Sequence, residues 1–128
     1  MTKKEFQLEY TFENVSVDRL WRRISTENGL RDWITGQVSI RGDRVRFVWG
    51  AGDVDEAYIH VVETGRQIRY DWIGEDAYFE LKIVATELTG DKTLVITDFC
   101  EDGDLESTVE IWEVQIGRLR RVMGLSQI

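Results

Sequence analysis

Residues 104–123, DLESTVEIWEVQIGRLRRVM, place an apolar side chain every three or four positions: Leu105, Val109, Trp112, Ile116, Leu119 and Met123. That spacing predicts one helix with an apolar stripe wide enough to lie across a sheet. Acidic residues, Asp102 and Asp104, stand where the helix begins, and Arg118, Arg120 and Arg121 stand where it ends. The order complements the helix dipole at both ends, and Gly124 follows as a C-terminal stop. A stripe of this kind must be covered, and everything upstream reads as the surface that covers it.

Working back from the helix, the pattern changes from a period near 3.6 to a period of two. Residues 93–101 predict a last strand with apolar side chains on both faces, as in an internal or doubly covered position. Thr89-Gly90-Asp91-Lys92 reads as a hairpin loop. Residues 77–87 set Ala77, Phe79, Leu81, Ile83 and Ala85 on one face, and residues 66–73 do the same with Ile68, Tyr70 and Trp72. Turns at Gly74-Glu75-Asp76 and Gly65 separate these from a strand over about 54–64. Earlier still, Val45, Phe47 and Trp49 oppose Arg44 and Arg46, and Val38 and Ile40 precede a turn at Arg41-Gly42-Asp43.

Only one stretch interrupts the alternation. Residues 5–13 form a clean strand pattern, with Phe6, Leu8, Tyr10 and Phe12 on one face. Ser16 then reads as an N-cap, and Val17, Leu20, Trp21 and Ile24 form a helical stripe. Asn28-Gly29 breaks that stripe, and Leu30, Trp33 and Ile34 predict a second short helix ending before Gly36. The expected architecture is α+β: a curved antiparallel sheet of about seven strands, two short helices after the first strand, and a long closing helix. Residues 1–128 read as a single domain, long enough to bury roughly two thirds of the unfolded surface.

Composition narrows the function classes. A net charge of −8 disfavours nucleic acid and anionic membrane surfaces as partners. Cys100 is the only cysteine, so no internal disulfide can form, and a reducing cytoplasm is the expected compartment. No apolar run approaches the roughly 20 residues of a membrane span. The acidic groups at Asp53–Glu56, Glu75–Asp76 and Glu101–Glu106 sit beside turns and read as solvated loops, so neither a metal nor a cofactor is expected.

The order of elements resembles the START-like, or SRPBCC, helix-grip superfamily. The likeness rests on Val17-Asp18-Arg19-Leu20-Trp21 leading into Leu30-Arg31-Asp32-Trp33-Ile34, and on Arg66-Gln67-Ile68-Arg69-Tyr70-Asp71-Trp72 with the hairpin over 89–97. Trp112 and Ile116 complete it on the closing helix. Within the superfamily the chain looks like the branch of the C-terminal domain of activators of the ninety-kilodalton heat-shock protein ATPase. The resemblance implies a sheet that grips the last helix around an apolar cavity. Members bind lipids, sterols, polyketides or plant hormones, and some are cyclases, dehydratases or ring-hydroxylase subunits.

The expected ligand contacts are Trp33, Phe47, Trp49, Tyr58, Tyr70, Trp72, Phe79, Trp112 and Ile116, and the partner would be a small apolar molecule. The same side chains could instead meet and fill the space. Two alternatives stand beside this: a cyclase- or dehydratase-type enzyme on a polyketide-like substrate, and a co-chaperone-like protein-interaction module. A homodimer is left open.

No catalytic motif is evident. Glu56, Tyr58 and His60 form a row along one face of a strand, which could serve acid–base chemistry. The expectation is that this row faces solvent, with Ala57, Ile59 and Val61 turned inward. Asp71 and Asp98 lie between apolar neighbours, and a cavity-facing carboxylate would be costly without a partner. An arginine partner or solvent is expected for both. Gly50-Ala51-Gly52 lacks the Lys and helix of a phosphate loop and reads as a strand connection.

Overall fold

The computed structural model describes residues 3–86 and 88–125. Strand β1 (Lys4–Phe12) is followed by helices α1 (Val17–Ser25) and α2 (Glu27–Arg31). Six strands come next: β2 (Gln37–Arg41), β3 (Arg44–Val48), β4 (Val54–Glu63), β5 (Gln67–Trp72), β6 (Tyr78–Ala85) and β7 (Lys92–Cys100). Helix α3 (Leu105–Val122) closes the fold. The strands form one antiparallel sheet in the order β1-β7-β6-β5-β4-β3-β2, so the chain's first strand docks beside its last. The strand expected over 77–87 ends at Ala85, and residue 87 lies outside the described residues.

The two-residue period explains the sheet's inner face. Leu8 faces Ile96, Leu81 faces both Ile96 and Ile68, Tyr70 faces Phe79, and Val45 faces Ala57. Directly opposed residues project to the same side, so these pairs build one continuous apolar surface. Its outer side carries Glu5, Arg44, Tyr58, His60, Arg69 and Glu80. β7 is internal, with β1 on one side and β6 on the other, as its two apolar faces suggested. A bulge between Val61 and Glu63 ends regular pairing in β4. There Val61, expected to turn inward and be covered, is 47% exposed.

The short helices cover one end of this surface. Ser16 caps α1 by accepting a hydrogen bond from the Arg19 backbone N–H (3.1 Å). The break between the helices falls at Thr26, whose hydroxyl caps α2 through the Gly29 N–H (3.0 Å). Asn28-Gly29 therefore lies inside α2 and does not break the pattern as expected. Gly29 is required for close approach: a Cβ there would stand 2.0 Å from the Arg22 carbonyl oxygen and 2.6 Å from the Arg23 Cα. Leu20, Ile24, Leu30 and Trp33 are all buried beneath these turns.

One buried hydroxyl ties α1 to the sheet. Tyr70 on β5 donates to the Ile24 carbonyl, one of the last-turn acceptors that has no partner within the helix. Burial pushes the Tyr70 phenol well above its ordinary range, so it stays a donor at every physiological pH. At the far end of the fold, Arg19 donates to the Met123 carbonyl (3.1 Å), and the Arg120 guanidinium lies 4.7 Å from the Phe12 ring centre. These contacts fix the C-terminal half of α3, where Ile116, Leu119 and Met123 are buried. Leu105, expected at the start of the stripe, is 49% exposed.

Two variants test this packing. Gly29→Ala is expected to lower stability by at least about 2 kcal/mol in urea unfolding, since the clash is with backbone and cannot be relieved by a rotamer change. Tyr70→Phe keeps the ring and strands the Ile24 carbonyl, for an expected loss of about 1–2 kcal/mol by the same measurement.

Candidate functional site

Aromatic rings fill part of the space between sheet and α3. Phe47, Tyr70 and Phe79 are buried and touch one another, with the Tyr70 and Phe79 rings stacked at 4.8 Å. Trp112 reaches down from α3 to lie 5.7 Å from Phe79 and 6.2 Å from Trp33. Phe47, Tyr70 and Trp33 are thus core residues.

Toward the N-terminal end of α3 the filling stops. There Trp49 stacks on Phe47 (5.5 Å) and Trp72 packs edge-on to it (5.7 Å), and both indoles remain partly accessible. A cavity of about 540 Å³ opens between them and α3, walled by Trp49, Trp72, Phe79 and Trp112, with Ile34 and Gln115 completing the side toward α2. The volume lies within the range of small-molecule sites. A larger and more open groove of about 680 Å³ continues past Ile34, Trp49, Ile111 and Gln115 toward Arg31 and Arg118. Gln115 stands on the border of the two spaces, its side-chain amide donating to the Ile34 carbonyl (3.3 Å).

Two carboxylates belong to the cavity wall, and each is held by an indole. Trp49 Nε1 donates to Asp55 Oδ2 (2.7 Å), and Trp112 Nε1 donates to Asp98 Oδ2 (2.8 Å). Asp98 Oδ1 also accepts from the Phe99 backbone N–H (2.7 Å). Burial pushes the Asp98 carboxyl above the usual carboxylate range, against the opposing pull of the Trp112 and Phe99 hydrogen bonds and the Lys3 charge. The arginine or solvent partner expected for Asp98 is replaced by tryptophan, because β7 turns this residue to the inner face with Leu94 and Ile96. Asp71 does meet the expectation, pairing with Arg69 (2.7 Å).

Of the expected contacts, Trp49, Trp72, Phe79 and Trp112 come together around the cavity. Trp33 lines only the adjoining groove, and Ile116 faces a separate cleft beside Tyr10 and Arg120. Tyr58 is misplaced as a ligand contact: the β4 register puts it on the outer face, opposite Asp71, where its hydroxyl meets Arg44 (3.2 Å). His60 shares that exposed face, so the Glu56-Tyr58-His60 row points away from the cavity, as expected. Among the described residues no group of His, Cys, Asp and Glu is arranged to hold a metal. Asp55 and Gln115 were missed. Asp55 is two positions before inward-facing Ala57, and Gln115 is three after Trp112, so periodicity could have located both.

A family model described as the START-like superfamily domain matches residues 1–125. The chain belongs to the START-like superfamily. Proteins of this superfamily typically bind hydrophobic ligands. A Bacteroides fragilis protein of known solution structure is 36% identical, over 96% of this chain and 93% of its own, with a TM-score of 0.67. The solution structure of the Aha1 dimer from Colwellia psychrerythraea is 13% identical, covers 91% of both chains and has a TM-score of 0.69. The crystal structure of DynU16, a protein of the dynemicin biosynthetic locus, is 18% identical with a TM-score of 0.77; the match covers 94% of this START-like chain and 47% of that one. At such identities the last two likenesses show the fold. No curated protein matches the chain significantly. Among the described residues, no helix is long and apolar enough to cross a membrane.

The Asp98 environment has a measurable consequence. Its folded pKa is raised, so the folded protein keeps a proton that the unfolded chain has already lost. Stability from this group therefore falls as pH rises from the ordinary carboxylate pKa through the folded value. Asp98→Asn removes the effect. The melting-temperature difference, variant minus wild type, is expected to grow in the variant's favour as pH rises above the ordinary carboxylate value of about 4, and a pH-independent difference would contradict the assignment.

Proposed function

We propose that this START-like protein binds a small, largely apolar molecule in the cavity between the inner sheet face and α3. The observation that carries the reading is the about 540 Å³ space walled by Trp49, Trp72, Phe79 and Trp112. Rigid aromatic walls release water readily and offer large contact areas at little conformational cost. Burial of ligand surface at roughly 25 cal/mol per Å², less the cost of association, would drive binding. The buried rings behind Trp49 and Trp72 restrict the occupant to the open end, which favours a compact ligand over a long acyl chain.

The enzymatic alternative draws support from Asp98, a half-buried carboxyl in the cavity with a raised pKa. His60, the chain's one imidazole, is remote on the outer face, so binding is the better-supported reading. The lone, buried Cys100 supports a reducing cytoplasm as the setting. Assembly as a homodimer draws on fold kinship with the Colwellia dimer and on Ile111 and Val114, both exposed on α3.

The test uses N-phenyl-1-naphthylamine, a neutral fluorophore that brightens in apolar surroundings. Wild-type protein is expected to bind it, and Trp72→Ala to weaken binding by about tenfold, consistent with losing part of an aromatic wall. Tyr58→Ala on the outer face should leave binding unchanged. Equal affinity of wild type and Trp72→Ala would sink the proposal.

A further inference from the structure

The cavity's walls are apolar, but its charge is one-sided. Asp55, Glu75 and Asp98 turn their carboxylates to its lining, and Lys3 is the one cation there among the described residues. Lys3 is already engaged, with its ammonium 3.2 Å from Glu75. The donors that hold Asp55 and Asp98 are indole and backbone N–H groups, which orient a carboxylate without cancelling its charge. Each carboxylate offers about four lone-pair sites, so both keep accepting capacity after these bonds.

From this juxtaposition we infer that the cavity selects an aromatic or alicyclic ligand bearing a protonated amine. The inference rests on the binding function proposed above and adds the chemical class of its ligand. Three physical terms act together on such a molecule. The apolar body meets the tryptophan and phenylalanine walls. The ammonium meets carboxylates in a partly desolvated setting, where attraction is stronger than in water. The indole faces add attraction for a cation, tryptophan being the strongest aromatic partner for one. Burial disfavours the ionised form of Asp98, and an ammonium beside it would restore that form. An anionic ligand would meet the opposite field at each of these points, and the net charge of −8 repels it at long range as well.

The experiment is competition against bound N-phenyl-1-naphthylamine with three probes that share one ring: 1-naphthylmethylamine, 1-naphthylmethanol and 1-naphthylacetate. The ammonium probe is expected to displace the fluorophore at about tenfold lower concentration than the alcohol, with the carboxylate weakest. Asp98→Asn and Asp55→Asn, each nearly isosteric, should reduce that preference severalfold, read as the ratio of ammonium to alcohol potency within each variant. Asp55 is exposed, so its variant keeps the test valid if Asp98→Asn perturbs folding. Added salt should narrow the preference further. If ammonium and alcohol compete equally, or the preference survives in both variants, the inference is overturned while the cavity stands. If the fluorophore itself does not bind, the binding function falls and this inference with it.

Discussion

An open seven-stranded sheet with one apolar face has to hide that face, and here the burden falls on a single helix. α1 and α2 cover only the end near Ile24 and Trp33. The rest is covered by the α3 stripe, and above all by Trp112, which reaches Trp33, Phe79 and Asp98 at once. Its ring bridges the two helical ends of the core, and its N–H fixes the one carboxyl that β7 turns inward. Removing any of these partners would leave the others without a reason for their placement. The grip of sheet on helix is therefore an aromatic clasp with a polar pin.

The location of the cavity follows from where that clasp sits. Behind Trp112 the buried rings of Phe47, Tyr70 and Phe79 pack against one another. Ahead of it α3 begins, its first turn carries little apolar surface toward the sheet, and Trp49 and Trp72 are left with one side uncovered. The opposing hypotheses of filled core and open pocket are both realised, on either side of the same residue. Chemistry is divided in the same way. In the filled part the Tyr70 hydroxyl and the Trp33 N–H are committed to the Ile24 and Arg23 carbonyls. The open half contains Asp55 and Asp98, each oriented by an indole N–H rather than paired with a cation.

Most of this architecture was legible because it obeys two periods. The strand alternation and the α3 stripe located nearly every element to within a residue or two, and the family followed from their order. What could not be read was which of two equivalent-looking aromatics reaches the cavity. Tyr58 and Tyr70 both sit in alternating strands, and only the pairing of β4 with β5 shows that they point to opposite sides. Gly29 was misread for a related reason. A glycine in a short helical patch looks like a stop, whereas its role, admitting the α1 backbone at close range, exists only once the two helices meet. Asp98 was legible as an oddity in an apolar strand, but its partner lies fourteen positions away on a different element, beyond any local rule.

The pairing of β1 with β7 has a consequence in time. Gln7 and Thr97, joined across that pair, are ninety residues apart. During synthesis β1 emerges before the other described strands, yet its neighbour among them is β7, the last of the seven in chain order. Its apolar side, Phe6, Leu8, Tyr10 and Phe12, must wait as an unpaired edge while β2 through β6 assemble as a meander of local hairpins. Contacts this distant in sequence slow folding, because the loop must close before they form. The charged residues that alternate along β1, Glu5 and Glu9 among them, blunt that waiting strand against premature association with other chains. The strand that completes the container is thus the one whose pairing spans the longest stretch of chain.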